Sequence, residues 1–365
     1  MRIHRALFLA VATAAALAVA VATQAAPPPF SPNVSVFASG LNNPRGLTFG
    51  PDGNLYVAEG GLGGTMRTSE DDCQQVPPPV GPYSGGYTAR ISRIDAHGNR
   101  TTVADGLPSS QTSAALGGLT SGIADVKFVG GKLYALEAGA GCSHGLAGTD
   151  NWLIRVNADG SITPVADLSA FIKAHPVAHP NPPDFEPDGT WYSMVAVGGD
   201  IYAVEPNHGE VDRISTATGA ISRLVDVSAT YGHIVPTAIA YKHNFVLGNL
   251  DDFPVDPGAS LLLKVTPSGA ISTWATDFTT VLGLAFGTHD RLFVLESMTA
   301  PGNPGPDELG TGRVVEVNTD TGARRVIATG LSFPTAITVG PDGALYVSNL
   351  GFAGPGAGQI LRITP

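Results

Sequence analysis

The sequence predicts an all-β fold, a six-bladed β-propeller closed by its N-terminal strand, and three observations support this prediction. Glycine and proline are abundant, with 46 Gly and 29 Pro among 365 residues, which disfavours long helices. A group of short β-type segments recurs six times along the chain. The one segment that the last repeat lacks stands instead near the N-terminus, as expected for a ring of repeats.

The N-terminal 25 residues are predicted to be a secretory signal peptide. Two arginines within the first five residues precede an uncharged stretch rich in Ala, Leu and Val, residues 6–22, and cleavage is expected after Ala25. A Pro-rich leader, residues 26–33, and a single propeller domain, residues 34–365, follow. No other stretch is long and apolar enough to cross a membrane, so we expect a secreted, periplasmic or extracellular monomer.

Each repeat contains a short strand that ends in a carboxylate or an amide. The six copies are Leu55–Glu59, Leu133–Glu137, Ile201–Glu205, Phe245–Asn249, Leu292–Glu296 and Leu345–Asn349. An apolar run precedes each copy across a tight turn, which Pro-Asp-Gly supplies in the first and last repeats, so the two runs form a hairpin. A third run follows each copy. Together these segments predict the first three strands of each blade.

A fourth strand is expected in five repeats, but the sixth repeat ends without one. The chain stops at Pro365, directly after the third run of this repeat, and a matching segment, Val34–Ala38, precedes the first repeat. The simplest interpretation is that this N-terminal strand completes the last blade and hides its open edge.

The residues beyond the strands are concentrated in two kinds of connection. Four long connections join the second and third strands of a blade, and one joins two blades; they span residues 60–89, 138–151, 250–260, 297–312 and 168–190. Both kinds emerge on the same face of a propeller, whereas the opposite face keeps short turns. Because function usually resides in loops on a rigid scaffold, this face is the predicted binding face.

The repeated polar residues at the strand ends are candidate binding residues at the mouth of the central channel. They are Glu59, Glu137, Glu205, Asn249, Glu296 and Asn349. One interpretation is a Ca²⁺ site with the four glutamates as ligands, since calcium prefers carboxylate and amide oxygens. The other, which we favour for the set as a whole, is that each side chain accepts a backbone N–H at the start of its own loop.

Blades three and four add further polar residues at this mouth. Asn207 and His208 follow Glu205, His233 lies in the next connection between blades, and Asp251 follows the strand of blade four. Two histidines beside carboxylates suit acid–base chemistry or a transition metal. The alternative is that these turns tolerate His and Asp without any chemistry.

Two further pairs of residues carry structural expectations. Asp125 and Lys127 are charged exceptions on an inner strand, and we expect them to face the channel or to form an internal ion pair. The only two cysteines, Cys73 and Cys142, fall in long connections of neighbouring blades. In an exported protein this pair is predicted to form a disulfide.

Charge and motifs exclude several classes of function. The chain has 31 acidic and 20 basic residues and no basic run beyond its N-terminus, so nucleic acid is not an expected partner. The sequence also lacks the zinc-protease motif, the Cys-x-x-Cys motif and the phosphate-binding loop.

The repeat text resembles a known family. Residues 43–59, Asn-Pro-Arg-Gly-Leu-Thr-Phe-Gly-Pro-Asp-Gly-Asn-Leu-Tyr-Val-Ala-Glu, are similar to NHL-type propeller repeats. Together with Glu-Pro-Asn-His-Gly-Glu at 205–210, Gly-His-Ile-Val-Pro-Thr at 232–237 and Gly-Asn-Leu at 248–250, they resemble the ScyD/ScyE family of exported propeller proteins. This resemblance implies a propeller over residues 34–364 and brings no assigned reaction.

Two classes of function therefore remain. The first, which we favour, is an exported binding or scaffold module that holds a small molecule, a glycan or a protein at the loop-bearing face. The second is a calcium-dependent hydrolase similar in style to lactonase and esterase propellers, in which a metal at the channel mouth polarises a lactone or an ester.

Overall fold

A computed structural model describes residues 27–365 of the chain. Six antiparallel sheets are the blades of a β-propeller, which confirms the predicted fold class. The predicted signal peptide lies outside the described residues. Within the described part of the chain, no helix has the length and apolar character needed to cross a membrane.

The strands follow the predicted repeat. The first strand is β1 (Val34–Leu41), and blade 1 then contains β2 (Pro44–Phe49), β3 (Leu55–Glu59), β4 (Ser84–Ile94), β5 (Arg100–Gln111) and β6 (Thr120–Ser121). Blade 2 contains β7 (Ile123–Val129), β8 (Lys132–Glu137), β9 (Trp152–Val156) and β10 (Ile162–Asp167). Helix α1 (Leu168–Ala174) leads to blade 3, which contains β11 (Ser193–Val197), β12 (Asp200–Glu205), β13 (Glu210–Ser215) and β14 (Ile221–Asp226).

The second half of the ring repeats this order. Helix α2 (Ser228–Tyr231) precedes blade 4, which contains β15 (Pro236–Lys242), β16 (Asn244–Asn249), β17 (Ser260–Val265) and β18 (Ile271–Phe278). Blade 5 contains β19 (Val281–Phe286), β20 (Arg291–Glu296), β21 (Gly312–Asn318) and β22 (Arg324–Leu331), and blade 6 contains β23 (Ala336–Val339), β24 (Leu345–Asn349) and β25 (Gly358–Ile363). Short 3₁₀ helices occupy Ala114–Leu116, Cys142–His144, Pro182–Asp184 and Pro306–Glu308.

The N-terminal strand forms the outer edge of blade 6. β1 pairs antiparallel with β25, with Val34 opposite Ile363 and Val36 opposite Leu361, so the predicted pairing is confirmed. The inner strands β2 and β23 also contact each other, and with the contacts between the other inner strands they complete the ring. A ring of this kind leaves few free strand edges.

The hydrophobic core lies between neighbouring blades. Side chains alternate along β3, so Leu55 and Val57 pack against Ile360 of blade 6, whereas Ala58 packs with Ile123 and other residues of blade 2. Because successive residues of a strand point to opposite faces of its sheet, a strand between two blades must be apolar on both faces. This explains the short, nearly continuous apolar runs of the repeat.

Three segments outside the predicted strands also have a defined structure. Residues 84–89 belong to β4, whose long ribbon with β5 extends to the pair Ser84 and Gln111; the Ser-Gly-Gly sequence does not suggest a strand, but cross-strand pairing supplies its hydrogen bonds. The connection 168–190 contains α1, which begins where the Asp167 side chain accepts the Ala170 N–H at 2.9 Å. The leader packs against blade 5, where Ser31 N–H donates to the Thr329 carbonyl at 3.1 Å.

Candidate functional site

The central channel opens into a large cavity on the loop-bearing face. This mouth cavity has a volume of about 530 Å³, and every blade contributes to its wall. Residues from blades one to six include Arg45, Ala138, Trp191, Leu250, Met298 and Phe352. The long connections line it as predicted, among them Pro79–Tyr83 from blade 1 and Leu250–Phe253 from blade 4. The binding face expected from loop lengths therefore carries a cavity large enough for a small organic molecule.

A tyrosine separates the mouth cavity from a second cavity deeper in the channel. The deeper cavity, of about 320 Å³, is lined by the inner strands, and Tyr192 and Leu282 line both cavities. The Tyr192 hydroxyl crosses the channel and donates to the Thr335 carbonyl at 3.2 Å. Burial raises the pKa of Tyr192 to about 12, so this hydroxyl keeps its proton near neutral pH.

The charged residues of the mouth cavity lie on opposite sides of the ring. Arg45 belongs to blade 1 and stacks on Phe352 of blade 6, with its guanidinium carbon 4.4 Å from the ring centre. Asp251 and Asp252 lie in blade 4, which faces blade 1 across a six-membered ring, and Asp184 also lines the cavity. The rest of the cavity wall is largely apolar.

Arg45 is buried without an acidic partner. It is 6% exposed and donates to the carbonyls of Gly351, at 2.8 Å, and Thr120. Within residues 27–365, no carboxylate lies within 4 Å of its guanidinium. Burial lowers the pKa of Arg45 from its usual value, although an arginine remains charged under all ordinary conditions.

At the acidic side of the cavity, His233 joins two aspartates. Its Nε2 atom lies 3.3 Å from Asp184 and 3.4 Å from Asp252. Burial disfavours the charged imidazole, but the two carboxylates outweigh this effect and raise the pKa of His233 above its usual value. Asn207 also donates to Asp184, at 2.9 Å. Of the predicted residues, Asn207 and His233 therefore meet at Asp184, and Asp251 lines the same cavity.

A buried group of titratable side chains contributes to the cavity wall near these residues. The Tyr83 hydroxyl donates to Glu186 at 2.6 Å, and the other Glu186 oxygen lies 3.1 Å from His144 Nε2. The Tyr83 ring stacks on His144 with 4.7 Å between ring centres. The predicted His208 meets this group only through the Glu186 carbonyl, 2.9 Å from its Nε2 atom. Tyr83 and Glu186 line the cavity directly.

The six repeated strand-end residues do not line the cavity. All six are buried, and each accepts a backbone N–H. Four accept it from the connection that precedes their blade: Asn42 to Glu59 at 2.6 Å, Thr190 to Glu205 at 2.8 Å, Thr279 to Glu296 at 2.6 Å and Ser332 to Asn349 at 2.9 Å. Two accept it from the third strand of their own blade: Trp152 to Glu137 at 3.2 Å and Leu261 to Asn249 at 2.6 Å. The repeat therefore binds backbone N–H groups, as the second interpretation held. These donors lie in the preceding connection or in the third strand and not at the start of the residue's own loop, where Glu205 accepts a further N–H from His208.

The charge environment of these residues differs because their cross-strand partners differ. Glu59 lies opposite Arg90, which binds it through two 2.9 Å hydrogen bonds, and Glu296 lies opposite Arg313. Glu137 has no such partner, and burial raises its pKa to about 8. The same position of the repeat thus carries an ion pair in blades 1 and 5 and an unpaired buried carboxyl in blade 2.

Blade 3 places like charges opposite each other. Glu205 pairs with Glu210 across β12 and β13, and Asp212, also fully buried, lies two residues further along β13. Burial and the neighbouring Glu210 raise the pKa of Asp212 well above its usual value, and burial raises that of Glu210 to about 7. Arg223 binds Glu210. One guanidinium thus faces three buried carboxyls, and burial raises the pKa of each of them.

The four glutamates of the proposed calcium set do not converge. Each lies in a different blade with its own hydrogen bonds, and residues 27–365 contain no group of three or more His, Cys, Asp or Glu side chains placed to hold a metal ion. The remaining structural expectations are met. Cys73 and Cys142 form a disulfide with 6.2 Å between their Cα atoms, and Lys127 Nζ lies 2.6 Å from Asp125 in the deeper cavity.

Several residues of the mouth cavity were not identified from the sequence. They include Arg45, Tyr83, Asp184, Glu186 and Tyr192, and His144 lies behind Glu186. For Arg45 a signal was present: the residues at its position in the other inner strands are Ala124, Ser193, Thr237, Leu282 and Thr335, so Arg45 is the charged exception. Tyr83, Asp184 and Glu186 lie in long connections without a repeat pattern, and only tertiary contacts reveal them.

Comparisons with known proteins identify the fold. No protein-family model matches the chain, and no curated protein matches it. Similar solved structures include a glucose dehydrogenase, with a TM-score of 0.57 and 15% identity over 92% of this chain and 100% of that chain. They also include the PQQ-bound form of an aldose sugar dehydrogenase from Streptomyces coelicolor, with a TM-score of 0.53 and 14% identity over 92% and 99% of the two chains. A putative gluconolactonase has a TM-score of 0.50 and 11% identity over 91% and 92%. At these identities the likeness establishes a shared β-propeller fold.

Proposed function

We propose that this protein is a binding module that holds a small organic molecule in the mouth cavity. The observation that carries the proposal is the cavity itself: about 530 Å³, built by all six blades, and placed where the long connections meet. Apolar walls with a few fixed polar groups are typical of small-molecule sites. Glycans and proteins, the other partners considered from the sequence, are less well matched by an enclosed, largely apolar cavity.

The cavity does not suit PQQ, the group bound in one of the similar structures. PQQ is a quinone with three carboxylates, so a site for it needs several cationic groups. The lining of the mouth cavity supplies one cation, Arg45, and four carboxyls, those of Asp184, Glu186, Asp251 and Asp252. We therefore base no step of the proposal on this cofactor.

The alternative proposal is a calcium-dependent hydrolase. The putative gluconolactonase shares the fold, but the described part of this chain has no cluster of acidic and histidine ligands for the metal. At the cavity wall Tyr83 donates a hydrogen bond to Glu186, whose other oxygen lies 3.1 Å from His144. Binding therefore remains the function that the geometry supports best.

We also propose that the protein is exported and related to the ScyD/ScyE family. The disulfide between Cys73 and Cys142 suits an oxidising compartment, and the N-terminal residues have the order of a signal peptide. The support for this relationship is the repeat text that resembles the family. No family model matches the chain.

Cavity-blocking variants test the binding proposal. Leu116→Trp and Leu250→Trp add bulk to opposite walls of the cavity. We expect small apolar compounds that raise the melting temperature of the natural protein to lose this effect in both variants, since ligand stabilisation follows occupancy. Thermal shift measurements with a fragment library provide the readout.

Val326→Trp is the matched control, because Val326 is 48% exposed on an outer strand of blade 5. It should retain every ligand-induced shift. Shifts that persist in both cavity variants would place the binding site elsewhere, and a library without a single stabilising compound would contradict the proposed function.

A further inference from the structure

We propose that Arg45 anchors the carboxylate of the ligand, so that the mouth cavity selects organic acids with an apolar body. This inference rests on the proposed function and defines its ligand class. Three observations carry it: the uncompensated charge of Arg45, the acidic groups on the opposite wall, and the apolar surface between them.

The first observation is a buried cation without a counter-ion. Arg45 is 6% exposed, and no carboxylate among residues 27–365 lies within 4 Å of it. Two half-buried arginines of this protein do have such a partner: Arg90 binds Glu59 and Arg223 binds Glu210. Removing a charge from water is costly unless an opposite charge compensates for it. A ligand anion would supply this compensation.

The known contacts of Arg45 leave hydrogen-bonding capacity for a ligand. The Gly351 and Thr120 carbonyls take two of its N–H groups, and a guanidinium has five. Phe352 covers one face of the guanidinium plane. These contacts hold the side chain in one orientation against the cavity, but carbonyls and a ring face carry no net negative charge. A carboxylate matches the planar fork of N–H donors that remains.

The opposite wall sets the direction in which the ligand binds. Asp251 and Asp252 lie in blade 4, across the ring from blade 1, and Asp252 is linked to Asp184 through His233. These carboxylates repel an anion and accept hydrogen bonds. The acidic end of the ligand therefore points to blades 1 and 6, and a hydroxyl or amine at its other end suits blades 3 and 4.

The surface between the two poles selects the body of the ligand. Leu119, Trp191, Val235 and Leu282 line the same cavity as Arg45 and the aspartates. Burial of apolar ligand surface against such side chains drives binding. A volume of about 530 Å³ accommodates a molecule with one or two fused rings or a comparable aliphatic skeleton.

A matched pair of compounds tests the inference. 2-Naphthylacetate and 2-naphthylacetamide have the same apolar body and nearly the same shape, but only the first carries a charge. Isothermal titration calorimetry at pH 7 should show the acid binding at least about tenfold more tightly than the amide. In Arg45→Met this ratio should fall to about one, and Arg45→Lys should keep a reduced preference for the acid.

Arg213→Met is the control, because Arg213 pairs with Asp200 at the exposed surface and its loss should leave the ratio unchanged. Leu116→Trp should abolish binding of the acid, which places the preference in the mouth cavity. If Arg45→Met does not fold, as judged by circular dichroism, the ratios of the natural protein and of Arg45→Lys decide the question.

The outcomes separate the two proposals. Equal binding of acid and amide by the natural protein, or an unchanged ratio in folded Arg45→Met, would overturn the role of Arg45 and leave the binding module intact. A failure of both compounds to bind at millimolar concentration, together with a fragment library that gives no thermal shift, would overturn the binding module as well.

Discussion

Removal of the disulfide is expected to lower the free energy of unfolding by about 4 kcal/mol, because the cross-link restricts the unfolded chain. Cys73 and Cys142 are 69 residues apart in sequence, and a loop of this length is costly to close. For a protein of this size the loss corresponds to a decrease of about 6 °C in melting temperature. The double variant Cys73→Ala/Cys142→Ala, measured by calorimetry, tests this value.

The position of the cross-link adds a local effect. The disulfide ties the long connection of blade 1, residues 60–83, to blade 2, and the end of this connection, Pro79–Tyr83, lines the mouth cavity. We expect faster amide hydrogen exchange in residues 60–83 of the double variant, with little change in β15–β18 of blade 4. A ligand of the cavity should also bind more weakly, because one wall is less ordered.

Reduction provides the control for this prediction. A reductant should lower the melting temperature of the natural protein by a similar amount and should leave the double variant unchanged. Equal melting temperatures of the natural protein and the double variant would contradict the prediction.

Glu137→Gln is expected to stabilise the protein at alkaline pH. The side chain of Glu137 is 4% exposed, accepts one backbone N–H and has no basic partner in the described residues. Its pKa is raised by burial from 4.5 to about 8 in the folded protein. Below pH 4.5 the carboxyl is protonated in both states, so it has no effect on the pH dependence. As the pH rises from 4.5 to 8, the unfolded chain releases this proton and the folded chain keeps it, so stability falls.

The loss is complete above pH 8 and is on the order of 5 kcal/mol. A glutamine keeps the carbonyl oxygen that accepts the Trp152 N–H and carries no charge. The two proteins should therefore melt at similar temperatures at pH 5, and the variant should melt about 7 °C higher at pH 9. Parallel pH profiles of the two proteins would show that Glu137 does not titrate in this range.

Glu59→Gln is the matched control, and its effect on stability should have the opposite sign. Glu59 occupies the same position in blade 1, but Arg90 and Arg100 bind it. Its replacement leaves two half-buried guanidinium groups without their counter-ion, so this variant should be less stable than the natural protein at both pH values. The contrast tests whether the charge partner, and not the position in the repeat, decides the effect.

Much of the fold follows from local patterns. Leu55–Glu59 and Leu345–Asn349 match β3 and β24 residue for residue, and the other four copies differ from their strands by one residue at the start. These strands are short, apolar on both faces and bounded by turns, so they are visible without tertiary information. The displaced strand Val34–Ala38 also revealed the pairing of β1 with β25.

The roles of the repeated polar residues were harder to assign. Their regular spacing correctly indicated a shared structural position, and all six accept a backbone N–H. The sequence does not reveal that Glu59 faces Arg90, that Glu205 faces Glu210, or that Glu137 faces no charge. For Glu59 and Glu137 the difference depends on the register between two strands that a long connection separates, whereas Glu205 and Glu210 flank a short turn.

The number of blades, the order of their strands and the face that carries the long connections are properties of the periodic pattern, because each depends on hydrophobic spacing and turn residues that are close in sequence. The cavity and its charges are not. Arg45 lies more than two hundred residues before Asp252 and Phe352, and only closure of the ring brings the three around one mouth. Whether a charge there is paired depends on burial and on distances of a few ångströms, which a one-dimensional pattern does not contain.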